Sequence, residues 1–156
     1  MGPITQQLVE TWEIHHRINL YLLDALKEEH LADISASKGR SVGEQFAHVH
    51  NVRLMWLKAA GADFLKDQEK IEKDSKLSRK SLRTALEKSS KAVAQMLSVT
   101  LEDGKLKGFK PHPSAFLGYL ISHESHHRGQ IMLALKQSGH PVDQKVQFGL
   151  WEWGSR

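Results

Sequence analysis

Cysteine is absent from this chain of 156 residues. That absence excludes a disulfide framework, a cysteine-ligated zinc knuckle and a cysteine nucleophile. Strand signals are missing too: no segment alternates β-branched or aromatic residues with polar ones, so no sheet is expected. No apolar run approaches the roughly 18 residues that a membrane span requires, so no membrane partner is expected. Met1–Gln7 lacks the basic-then-apolar order of a signal peptide, and Gln6 stands where a myristoylation site needs Ser or Thr. The expected compartment is the cytoplasm.

The net charge is +4 and the pI is near 9.3, which permits contact with an anionic polymer without arguing for one. The lysines gather between Lys66 and Lys110, interleaved with Asp67, Glu69, Glu72, Asp74 and Glu87. No aromatic residues alternate with them as a base-stacking platform would need. A solvated helix and linker account for this stretch, and nucleic acid is not an expected partner. The length fits a single domain over residues 1–156 with a core of its own.

Four long segments carry helical periodicity. The first runs from about Ile4 to His30, with Leu8, Trp12, His15, Asn19, Leu22, Leu23 and Leu26 on one stripe. The second runs from about Val42 to Ala60, opened by the capping box Ser41-x-x-Glu44 and closed at Gly61. The third spans about Ser78 to Leu101, with Leu82, Leu86, Val93 and Leu97 inward. The fourth spans about Ser114 to Gln137, preceded by Pro111 and Pro113 and stopped by Gly139-His-Pro141. The tail after Val142 has room for a short final helix over one end of the domain. The fold class is all-α, a four-helix bundle. Periodicity leaves the topology open, because the Asp63–Leu77 link suits either a loop or a crossover.

The run His123-Glu-Ser-His-His127 carries the strongest functional signal. Residues at i and i+4 stack on one helical face, where two imidazoles can chelate one ion. At about 100° per residue, His123 and His127 fall inside the apolar arc of Phe116, Leu120, Ile131, Ala134 and Leu135. His126 falls on the opposite side. On the second helix Gln45, Val49, Val52, Trp56 and Ala59 mark the inner arc, with His48 at its edge and His50 pointing away. Buried imidazoles are costly unless their nitrogens are satisfied. A divalent ion held by His48, His123 and His127 would do this and leave a coordination position open. The alternative is ordinary core histidines bonded to backbone or water, with His48 at a surface seam.

The same residues resemble the DinB-like (YfiT-like) family of metalloenzymes. Ser41-Val-Gly-Glu-Gln-Phe-Ala-His48, continuing to Trp56-Leu57, looks like its first metal-histidine motif. His123-x-x-x-His127-Arg-Gly-Gln130 looks like its second, and Asn19-x-x-Leu-Leu-x-x-Leu26 is similar to its first-helix pattern. Gly149-Leu-Trp-Glu-Trp153 is similar to an ending found in one subgroup. The resemblance implies a left-handed, up-down-down-up bundle, a homodimer, and a divalent metal (zinc or nickel) on His48, His123 and His127. It also implies thiol-dependent transfer or isomerisation with a low-molecular-weight thiol such as bacillithiol, mycothiol or glutathione.

The expected activity is that of a metal-dependent S-transferase or hydrolase. In this reading the metal activates a small thiol or a water against a small-molecule electrophile. No catalytic residue beyond the ligands is assigned. Gln130 and Asn19 are candidates for orienting a ligand, or for ordinary buried hydrogen bonds. His15 reads as a core histidine rather than a fourth ligand, Arg128 as a surface or subunit contact, and Trp12 and Trp56 as core, with a wall of a substrate pocket as the alternative for either tryptophan. The competing expectation is a non-catalytic, metal-binding stress-response dimer.

Overall fold

Local sequence chemistry sets most helix boundaries. The structure, a computed structural model, describes residues 1–156. Helix α1 covers Pro3–Asp24, with Pro3 at its first position, where a missing N–H costs nothing. Helix α2 covers Val42–Ala60, and its capping box forms as expected: the Ser41 hydroxyl accepts from the Glu44 N–H, and the Glu44 carboxylate accepts from the Ser41 N–H at 2.7 Å. Helix α3 covers Arg79–Asp103, capped by Ser78 and ended by Gly104 in the left-handed conformation at φ 67°. Helix α4 covers Pro113–Gln137, where the His112 imidazole accepts from the Ala115 N–H. A short helix α5, Gln144–Gly149, follows in the tail.

The first helix is shorter than its periodicity suggests. It stops at Asp24, and Glu28–Ala32 form a 3₁₀ turn instead. Tertiary partners take over there. Arg79 donates to the Leu26 carbonyl at 2.6 Å and pairs with Glu28, while the His30 ring accepts from the Lys27 N–H.

Side-chain contacts fix the helix directions. Gly2 meets Glu102 and Leu26 meets Arg79, so α1 and α3 are antiparallel. Gly43 lies against Leu77, placing the starts of α2 and α3 together. Gln45 meets His127 and Arg53 meets Glu124, so α2 and α4 are antiparallel. The arrangement is up-down-down-up, with residues 61–78 as the crossover between the two parallel helices. Asn51 pins that crossover by exchanging two 2.9 Å bonds with the backbone of Ile71.

The tail closes over the first helix. Arg156 stacks on the Tyr21 ring at 3.8 Å and donates to the Gly149 carbonyl. Gly149 suits this close approach, because a Cβ there would overlap the end of the Tyr21 ring and force it to shift.

Two apolar clusters fill the bundle. One is built on Leu22, Leu23, Phe46, Leu82, Leu86, Ile131 and Leu135, the other on Trp12, Leu57, Met96, Leu97, Phe116 and Leu120. A polar layer joins them. In it Glu124 accepts from Arg53 Nε at 2.6 Å, Arg53 Nη2 at 2.8 Å and Asn19 Nδ2 at 2.8 Å, with His15 Nε2 at 2.9 Å. Arg53 also donates to the Leu86 carbonyl and Ser89, and lies 4.9 Å from the Trp12 ring centroid. Both members of the Arg53–Glu124 pair have fully buried side chains.

Removing one partner of a buried ion pair typically costs about 3–5 kcal/mol, whereas removing both costs far less. Glu124→Gln should therefore lower the unfolding free energy by about that amount in chemical denaturation. Arg53→Met combined with Glu124→Leu should be less damaging than Glu124→Gln alone. Equal losses for single and double variants would contradict the assignment.

Candidate metal centre

The capping box of α2 fixes where His48 points. It starts the helix at Val42, so that Gln45 and His48 lie one turn apart on the side facing α4. On α4, His123 and His127 stack on the side facing α2. One nitrogen from each of His48, His123 and His127 falls within 4.8 Å of the others. His127 Nε2 and His123 Nε2 are 3.1 Å apart. Two nitrogens sharing one zinc at about 2.0–2.1 Å, with an angle between about 90° and 110°, would stand about 2.9–3.4 Å apart. The helical pair thus already has the spacing of two ligands on one ion, and a His48 nitrogen lies within 4.8 Å of both. The three donors fit a divalent metal.

Gln45 completes the arrangement. The His127 Nδ1–H donates to Gln45 Oε1 at 2.8 Å, which leaves the Nε2 lone pair facing the other imidazoles. A partner on the far ring nitrogen is the usual way a protein selects the tautomer and ring orientation of a metal-binding histidine. Sequence reasoning placed Gln45 on the inner arc without giving it this task.

The environment keeps the imidazoles neutral. Burial lowers the His127 pKa to about 4, helped by the neighbouring His123 and His48. Burial also lowers His48, with Arg40 and His123 adding to the effect. His123 is lowered by burial first, with His126 and Arg40 acting in the same direction. Neutral imidazole is the form that binds metal.

Two surfaces flank the triad. On one side Tyr119 stacks near His123 at 6.3 Å and leads to Phe109, Phe116 and Trp56. On the other a cleft of about 700 Å³ opens beside His48, with Arg40, Lys70 and Lys73 among its walls.

Several expected positions are corrected. His50 does not point away: it is 1% exposed, because the crossover covers that face of α2 and the Glu69 carbonyl accepts from its Nε2–H at 2.8 Å. The inner face of α2 is centred on Phe46, His50, Arg53 and Leu57, while Val52 and Trp56 are only half-buried. Arg128 is not a surface contact; it is partly buried and donates to Asn19 Oδ1 at 2.7 Å. Asn19 and His15 belong to the Glu124 layer. Gln130 is exposed one turn beyond His127. His126 is exposed and Trp12 fully buried, as expected.

Arg53 and Glu124 were missed altogether. A signal existed: each occupies a core position of its own helix, in the series Phe46-His50-Arg53-Leu57 and Phe116-Leu120-Glu124-His127-Ile131. A charge on each of two core stripes requires a partner.

Fold and centre together define a class: an all-α up-down-down-up bundle with three converging histidines from its second and fourth helices. The chain belongs to the DinB family, whose sequence model matches residues 1–148. No curated protein matches it. Among solved structures, it is similar to a DinB-like protein from Bacillus cereus, with a TM-score of 0.71 and 23% identity over 88% of this chain and 95% of that one. That likeness concerns the fold.

The histidine shifts have a stability consequence. His15, His16, His48, His50, His123 and His127 all have lowered values, chiefly through burial, with His16 pushed down to about 3. Free histidine titrates near about 6.5, so below that pH the unfolded chain binds more protons than the folded one. Stability therefore rises with pH through this range. Metal-free protein should be most stable above about pH 6.5, with Tm falling steadily as pH is lowered towards 4. A flat or rising Tm on acidification would contradict these burial effects.

Proposed function

We propose that His48, His123 and His127 bind one divalent ion, zinc or nickel, and that the centre activates a small thiol or a water for attack on a small electrophile. The observation that carries this reading is the meeting of three neutral imidazoles from two helices, one of which, His48, also lines an open cleft. When bound, such an ion lowers the pKa of a coordinated water or thiol, because three neutral donors leave its charge uncompensated. The chain's own contribution is positional. Gln45 orients His127, the Glu124 layer holds α4 against α1 and α2, and burial keeps the donors unprotonated.

The cleft favours a catalytic role over a purely structural metal, since a metal that only staples helices needs no adjoining volume. The lining is polar and cationic; Trp12 is core and Trp56 belongs to the aromatic cluster rather than to the cleft. The same reading includes a homodimer, for which the exposed Phe148 and Trp151 of the tail offer apolar surface. No helix is long and apolar enough to cross a membrane.

Elemental analysis of purified protein should find near-stoichiometric metal. His127→Ala should abolish that loading, and Gln45→Leu should weaken affinity by about 10–100-fold, the usual effect of losing a partner behind a ligand. Unchanged metal content in His127→Ala would overturn the triad.

Activity is tested separately. Metal-loaded protein should accelerate consumption of small electrophiles by at least one of bacillithiol, mycothiol or glutathione, and the acceleration should disappear with chelator. No acceleration with any of these thiols or with water would leave the structural-metal reading in place.

A further inference from the structure

The cleft beside His48 is electrostatically unbalanced, and its carboxylates are already engaged. Its charged walls are Arg40, Lys70 and Lys73 against Glu44 and Glu72. Glu44 is held by the Ser41 N–H at 2.7 Å in the α2 capping box. Glu72 lies 3.9 Å from Lys70. Arg40 and Lys73 have no ion-pair partner.

Arg40 is the better placed of the two. It directly precedes the Ser41 cap, so its backbone is fixed at the start of the helix that carries His48. The loop before it is tied down from both sides. The Val42 N–H donates to the Asp33 carbonyl at 2.9 Å, and the Ala36 N–H donates to Gln137 of α4 at 2.7 Å. Arg40 and His48 line the same cleft. A guanidinium that is anchored at its base, exposed at its tip and unpaired is suited to bidentate recognition of a carboxylate.

We infer that Arg40 is a specificity-determining residue of the centre: it receives the carboxylate of a small anionic thiol whose sulfur enters the position beside His48, His123 and His127. The inference rests on the metal-centre reading above and adds the class of ligand. Lys73, across the cleft, strengthens the field without the fork geometry.

Cobalt-substituted protein provides the test, because a thiolate entering the centre produces a charge-transfer absorption that reports binding directly. Mercaptoacetate and 2-mercaptoethanol would be titrated into wild-type protein, Arg40→Gln and Arg40→Lys. The ratio of the two affinities, compared between proteins, cancels the difference in thiol acidity. Arg40→Gln should lower that ratio by about five- to tenfold, the range expected for one charge-assisted pair near solvent. Binding of 2-mercaptoethanol should fall less, because it has no carboxylate for Arg40 to hold. Arg40→Lys should restore part of the ratio, and added salt should shrink the wild-type preference. An identical ratio in wild type and Arg40→Gln would overturn the inference while leaving the metal centre intact. Failure of cobalt to bind would overturn the metal-centre reading itself, whereas bound cobalt with no charge-transfer band from either thiol would overturn thiol entry and this inference with it, leaving the metal centre.

Discussion

The buried pair Arg53–Glu124 is the contact on which the rest of the bundle's geometry depends. Two charges taken out of water are tolerated only where every polar atom finds a partner. Here the carboxylate meets two guanidinium nitrogens, Asn19 and His15, and the guanidinium also reaches a backbone carbonyl and Ser89. Those partners come from all four long helices. A slip of one helix by a turn would leave several of them unpaired at once, at a cost comparable to the stability of a whole domain. The apolar clusters on either side supply most of the burial but tolerate sliding better, since leucine contacts are not directional.

Register is what the histidines require. Glu124 is adjacent to His123 in the chain and lies one turn from His127, and Arg53 lies little more than one turn from His48. Locking Arg53 to Glu124 therefore fixes the height at which α2 and α4 face each other, and with it the meeting of the three imidazoles. The bond from His127 to Gln45 extends the same lock by two turns towards the start of α2. The three histidines are thus positioned by a hydrogen-bonded core that would take no part in holding an ion.

How much of this could be read from the sequence follows from the kind of force involved. Helix starts were legible where a local cap exists, as at Ser41 and Ser78, because the chain satisfies its own N–H groups there. The end of α1 was not, because Arg79, more than fifty residues away, takes over the carbonyl of Leu26. His123 and His127 were legible from spacing, and His48 from its place on a helix wheel. The same wheel misjudged His50 and the inner face of α2. It gave Arg53 no place at all, and it could not know that the crossover would cover the flank that carries His50. The up-down-down-up order came from family resemblance, and in the structure it rests on contacts between residues distant in sequence.

The electrostatics of the centre limit the chemistry it can do. Its three donors are neutral, and the carboxylate nearest in sequence, Glu124, turns into the core and is fully engaged by Arg53. The carboxylates of the adjoining cleft are occupied by a helix cap and by a lysine, and its remaining charges are positive. The triad itself therefore supplies no anion to balance an ion it would hold. Uncompensated positive charge in a half-buried site is itself unfavourable, and the compensation has to come from a ligand that arrives as, or becomes, an anion. A chain without cysteine cannot provide a thiolate of its own. Thiolate or hydroxide from outside meets the requirement, and the positive cleft beside His48 is the face from which it would be drawn in.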